Sequence, residues 1–219
     1  MSENSRLVSV VIAPVGLQGL LGIPRTVSGV VLFAHGSGSS RLSPRNNMVA
    51  SALRESGLGT LLFDLLTDTE AADRRNVFNI PLLAKRLLQA TKWLQTTQET
   101  ASLPIGYFGA STGAAAALVA AAEAGSDIAA VVSRGGRADL AADSLPNVQS
   151  PTLLIVGGDD DVVLDLNRQA LARLTCEKRL VVVPGAGHLF EEPGALEQVV
   201  DHARRWFSTH LAPSNNQPR

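Results

Sequence analysis

The pentapeptide Gly109-Ala110-Ser111-Thr112-Gly113 fits G-x-S-x-G and lies between two stretches of opposite character. Residues 104–108 are a short, mostly apolar run ending in Tyr107 and Phe108, the pattern of a buried strand. The alanine-rich residues that follow read as a helix, since alanine loses no side-chain entropy there. Strand, sharp turn and helix form the setting in which this pattern presents a serine hydroxyl from a strained backbone position. Gly109 and Gly113 are small because larger side chains would collide where helix and strand meet. A helix N-terminus here also places backbone N–H groups and a positive dipole end beside the serine. A plain turn with a capping serine is the simpler reading, so the rest of the chain must decide.

That remainder alternates in the same way. Residues 6–14 and 17–23 are β-like runs joined at Val15-Gly16, an antiparallel hairpin at a sheet edge. GVVLFA at 29–34 reads as a strand buried on both faces, followed by the small-residue loop 35–40 and a helix over 44–56. Further strands are expected at 59–66, 105–108, 128–133, 152–156 and 179–183, and helices at 80–98, 164–174 and 194–210, with a polar loop over 67–78. Apolar strands alternating with helices predict a three-layer α/β/α sandwich around a mostly parallel sheet, with ligands beyond the carboxyl ends of the strands. Every loop rich in chemistry falls at that end. One domain over residues 1–212 and a frayed tail over 213–219 are expected of a chain of 219 residues.

A net charge of −1 gives no electrostatic footprint for nucleic acid, and a single cysteine, Cys176, excludes an internal disulfide framework. Pro14 and Gly16 interrupt the first apolar run, so neither a signal peptide nor a membrane span is expected, and a cytoplasmic setting fits. Metal-ligand spacings and phosphate-loop patterns are missing, so neither metal nor cofactor is expected. The expected partner is a small-molecule ester substrate, and the expected oligomeric state is a monomer or homodimer.

A serine hydroxyl needs a base within hydrogen-bond reach and a group that orients the base. Of four histidines, His202 and His210 fall in the final helix, and His35 ends a strand where its ring can brace the loop behind it. His188 follows a strand through Pro184-Gly185-Ala186-Gly187 and is the candidate base. Asp159, Asp160 and Asp161 are the candidate orienting acids, and one of them is expected to cap the next helix. The order Ser…Asp…His is that of the elbow fold. Two backbone donors for a developing oxyanion are expected from Thr112 and from the 35–38 loop, with Ser37 the best placed.

These features together resemble the α/β-hydrolase superfamily, in its small, lid-free dienelactone-hydrolase-like branch. HGSGSS at 35–40, GASTG at 109–113, GGDDDVV at 157–163 and GAGHLFEEPG at 185–194 carry the likeness. The resemblance implies Ser111 as nucleophile, His188 as base and, at the fourth position of G-x-x-D, Asp160 as orienter. Dienelactone hydrolases proper use a cysteine where this chain has Ser111, so their substrate does not carry over. The implied activity is hydrolysis of small carboxylic esters through an acyl-enzyme. Thioester cleavage, acyl transfer, peptide cleavage and non-catalytic ligand binding are the alternatives. Gly36, Gly38, Arg41 and Arg134 are candidate substrate contacts. Arg41, Arg45, Arg74, Arg75, Arg134 and Arg137 are expected mainly to pair with acids such as Asp64, Asp68 and Asp73, and Arg134 is the best candidate to hold a substrate carboxylate. Glu191 and Glu192 are expected in the first turn of the last helix.

Overall fold

The computed structural model describes residues 7–212; the expected tail at 213–219 lies outside them. β1 (Leu7–Ile12) and β2 (Leu17–Gly22) form the expected hairpin. β3 (Val30–Ala34) is buried throughout and leads to α1 (Pro44–Glu55), where the Ser43 hydroxyl accepts the Asn46 N–H and Pro44 takes the first turn. β4 (Gly59–Phe63) follows. The stretch expected as a polar loop holds α2 (Asp68–Ala71) and a 3-10 turn, Asn76–Phe78. Thr67 and Glu70 cap α2 reciprocally, so T-x-x-E was the overlooked sequence signal. Next come α3 (Ile80–Thr96), β5 (Ile105–Ala110), α4 (Thr112–Ala124), β6 (Ile128–Arg134) and β7 (Thr152–Gly157). α5 (Asp161–Arg173), β8 (Lys178–Val183) and α6 (Ala195–His210) complete the order.

The eight strands form one sheet in the order β1-β2-β4-β3-β5-β6-β7-β8. β4 to β8 and β3 run parallel, and β1 and β2 are antiparallel. The two-residue period of the strands sends alternate side chains to opposite faces. Val30 and Leu32 of β3, with Tyr107 of β5, pack on the side of α3 and α4, against residues such as Leu87 and Ala116. Val31 and Phe33, with Phe108, pack on the side of α1 and α6, against Leu53 and Phe207. The buried Tyr107 hydroxyl is satisfied by Thr91 Oγ1 at 2.6 Å.

α4 approaches the sheet closely because its packed positions are alanines and Gly113. A Cβ at Gly113 would lie 2.2 Å from the Ala34 carbonyl oxygen, and one at Gly109 would lie 2.4 Å from Ala114 Cα. Both glycines are therefore demanded by close approach, as the sequence predicts. Among the described residues the sheet ends in two free edges, β1 and β8. On β1 the side chains of Leu7, Val8 and Val11 are exposed, Val11 by 60%. β8 carries Lys178 and Arg179 on the opposite edge. Among the described residues no helix is long and apolar enough to cross a membrane.

Two boundaries differ from expectation at places that matter for the site. α5 starts at Asp161, not residue 164, which puts Asp160 at its cap position. Glu191 and Glu192 precede α6 instead of entering it, because Gly194, at φ 79°, takes the cap. Glu191 reaches across to Arg45 at 2.8 Å.

Candidate active site

Ser111 occupies the turn between β5 and α4 at φ 50° and ψ −120°. A β-carbon is strained at a positive φ, and neighbouring backbone holds it there: the Ser111 N–H donates to the Arg134 carbonyl, and its own carbonyl accepts the Arg137 N–H. Although Ser111 is at the cap position of α4, its hydroxyl makes no cap hydrogen bond. The capping-serine reading of this motif is therefore not realised, and the hydroxyl is left to face His188.

His188 stands on the loop after β8. Its Nε2 lies 3.4 Å from Ser111 Oγ, and its Nδ1 lies 2.7 Å from Asp160 Oδ2. The short contact requires Nδ1–H to donate to the carboxylate, which leaves Nε2 as an acceptor facing the serine. The 3.4 Å separation is of the loose kind that tightens when a substrate is bound. Among the three adjacent acids the backbone selects Asp160. Asp161 is the first residue of α5, and Asp159 is exposed. Asp160 sits at the cap of α5 without a side-chain cap bond, so its carboxylate is spent on His188 and none of the three caps by its side chain in that position.

The loop after β3 curls over Ser111. The Ser37 N–H donates to the Thr112 hydroxyl at 2.9 Å, which ties the loop to the first residue of α4. The His35 ring braces the loop from below: Nδ1–H donates to the Gly36 carbonyl at 3.0 Å, and Nε2 accepts the Leu65 N–H at 3.1 Å. This arrangement needs a neutral ring, and burial pushes its pKa down, outweighing the Gly36 carbonyl and the Asp64 charge.

The arginines divide. Arg41 pairs with Asp64, Arg75 with Asp73, Arg137 with Asp139, and Arg45 with Glu191. Among the described residues Arg134 has no carboxylate partner; it is 8% exposed, and its guanidinium carbon lies 5.9 Å above the centre of the Phe190 ring. Burial, followed by the nearby charge of Arg45, pushes its pKa down to about 10.

Two cavities flank the loop after β3. One, of about 240 Å³, is lined by Ser111, His188, Arg45 and Arg134, together with Gly36 and Ser37. The other, of about 370 Å³, is lined by Leu65, Leu66, Val77 and Leu83, and by Gly36, Gly38 and Arg41. The candidate contacts Gly36, Gly38, Arg41 and Arg134 thus all line a cavity, but Arg41 is engaged by Asp64. Asn167 was missed in the sequence. Its buried Nδ2 donates to the Gly136 and Val163 carbonyls, both at 2.8 Å, and so fastens the loop after β6 to α5. An amide on the apolar stripe of Val163, Leu164 and Ala170 was the signal for it.

Comparison with known proteins agrees with this architecture. A family model for the alpha/beta hydrolase domain matches residues 27–206. A Mycobacterium tuberculosis protein with a provisional phosphoribosyl transferase name is 60% identical over 204 residues, which are 93% of this chain and 46% of that protein. The chain thus spans about half the length of that relative. The crystal structure of a dienelactone hydrolase from Anabaena variabilis is 55% identical with a TM-score of 0.91, covering 94% of this chain and 98% of the other. Est1E from Butyrivibrio proteoclasticus shares the fold at 15% identity and a TM-score of 0.80, covering 94% and 98%. With its mostly parallel sheet, its G-x-S-x-G turn and a family match over most of its length, the chain belongs to the α/β-hydrolase family, with dienelactone-hydrolase-like relatives.

Proposed function

We propose that this protein is a serine hydrolase that cleaves small carboxylic esters by two-step acyl transfer. The observation that carries the reading is the hydrogen-bonded row from Ser111 through His188 to Asp160, begun by a hydroxyl held at a positive φ and free of any capping bond. In the first step His188 Nε2 takes the Ser111 proton as Oγ attacks the carbonyl carbon, and Asp160 stabilises the imidazolium through Nδ1–H. The Thr112 and Ser37 amides receive the oxyanion. Ser37 N–H is pre-engaged by the Thr112 hydroxyl, so the oxyanion takes the place of that hydroxyl. His188 then protonates the leaving alcohol, and water, activated by the same ring, hydrolyses the acyl-enzyme.

The name of the Anabaena relative supports ester chemistry, because a lactone is an internal ester. The phosphoribosyl transferase name belongs to a protein of which this chain spans 46%, and we assign that chemistry to the remainder. Incubating this chain with phosphoribosyl pyrophosphate should release no pyrophosphate; release would overturn the assignment.

The test of the hydrolase reading is labelling with a fluorophosphonate, located by peptide mass. Ser111 should be modified stoichiometrically. Labelling should vanish in Ser111→Ala, whose kcat on a simple ester falls by roughly 10⁴- to 10⁶-fold. Asp160→Asn should slow labelling by roughly 10²- to 10⁴-fold, whereas Asp159→Asn should leave it near the wild-type rate. A folded protein that resists the reagent would refute the reading, and equal losses in the two Asn variants would refute the choice of Asp160.

A further inference from the structure

The cavity that holds Ser111 and His188 is walled by two guanidinium groups from different elements. Arg134 ends β6 beside the nucleophile, in register with Ala110. Its Nε and Nη1 are buried without any hydrogen-bond partner among the described residues, and the residue lines the cavity. Arg45 comes from the first turn of α1. Its Nε also lacks a partner, and its far end is held by Glu191, whose side chain is 64% exposed. Asn46, 2% exposed in the same wall, leaves Oδ1 unpartnered. The first turn of α1 carries no acidic residue, so the positive end of its dipole is unopposed. A buried cation without a counter-ion opposes folding, and proteins retain such groups where a ligand supplies the missing charge.

Both the charge and the shape of that ligand can be argued. One guanidinium satisfies a planar carboxylate by a two-point contact. Two guanidiniums from separate elements that line one cavity suit a tetrahedral dianion with three free oxygens. The orientation follows from the proton path: His188 hands its proton to the leaving oxygen, so the alcohol half lies on the His188 side. The cavity beyond the 35–40 loop, which has an apolar wall of Leu65, Leu66, Val77 and Leu83 opposite Asp64, Asp68 and Arg41, is left for the acyl half.

We propose that the substrate is an ester whose alcohol half carries a phosphate group, bound by Arg134 and Arg45, with an apolar acyl chain on the other side of the oxyanion loop. This rests on the serine-hydrolase reading.

The test compares butyrate release from butyrylglycerol phosphate, butyrylglycerate and neutral butyrylglycerol, and ethanol release from ethyl phosphonobutyrate against ethyl butyrate. Wild-type kcat/KM should favour butyrylglycerol phosphate over butyrylglycerol by about 10- to 100-fold, with no gain for the acyl-side phosphonate. The preference should collapse toward parity in Arg134→Met and survive in part in Arg134→Lys. Inorganic phosphate should raise the melting temperature of Ser111→Ala, and this shift should shrink when Arg134→Met is added. Parity among the wild-type substrates, or a preference indifferent to Arg134→Met, would overturn the proposal. A glycerate ester turned over as well as the phosphate ester would overturn the phosphate, and a gain only for the phosphonate would overturn the orientation. Fluorophosphonate labelling separates the two levels. A labelled enzyme with parity loses only this inference, whereas an unlabelled one loses the hydrolase reading itself.

Discussion

Ser111 and His35 show how single residues hold energy for the site. The backbone of Ser111, at φ 50°, costs about 1–3 kcal/mol for any residue with a β-carbon. Ser111→Ala keeps that strain and Ser111→Gly releases it. The glycine variant should therefore unfold at higher denaturant, by roughly 1 kcal/mol, although both variants lack the hydroxyl. Equal stability in the two would mean that the turn is relaxed. For His35 the sign runs through the protons. The folded state holds the ring neutral, with its pKa below the ordinary 6.5, while the unfolded chain takes up a proton near that value. Its contribution is thus present above about pH 6.5 and is lost as the pH falls from there toward the folded value. The stability gap between wild type and His35→Gln should narrow as pH drops from 7 to 5, and urea titrations across that range would detect a gap that stays constant instead. Ser111 and His188 were legible because motif and turn chemistry are local. Arg134 was legible as the best candidate contact among the arginines, but its lack of an acid among the described residues was not, since whether an arginine finds an acid depends on strands and helices far apart in sequence. Asp160 fell between these cases: its neighbours are equivalent as letters and differ only once α5 is seen to start at Asp161.

Among the elements, β3, β5 and β7 were readable because uninterrupted apolar runs have few alternatives when both faces of a sheet are covered. α2 was lost to the polarity of its surroundings, even though its capping box is written in Thr67 and Glu70. Polar composition describes exposure, and a capped surface helix is exposed too. α6 lost its first residues to Gly194, which freed Glu191 to reach Arg45 and so changed the charge balance of the cavity wall. α4 makes the sharpest demand on packing. Ala116 is fully buried against the sheet, so Ala116→Leu should overpack the interface and lower stability by roughly 1–3 kcal/mol. Lys85→Leu on the exposed side of α3 should change it by no more than about 0.5 kcal/mol. Denaturant midpoints would decide, and similar losses at the two positions would contradict the close packing of α4.

At the scale of the whole molecule, parallel strands gather the loops that follow β3, β5, β6, β7 and β8 at one end of the sheet, and Ser111, Asp160 and His188 with them. The remaining surface is free to serve other needs, and the two margins of the sheet have met those needs unequally. An outer strand offers a row of unpaired amides and carbonyls to any passing chain. On β8 the charges of Lys178 and Arg179 discourage such visitors, while the described part of β1 presents only apolar residues and Ser9. Crowding or gentle heating should therefore turn solutions of this protein turbid through β1, and Val11→Lys should delay the onset of light scattering without altering the proposed labelling of Ser111. A variant that clouds at the same temperature as wild type would clear β1 of blame. A delayed onset, by contrast, assigns colloidal behaviour to a margin of the sheet away from the Ser111 loop, so that the two can be engineered independently.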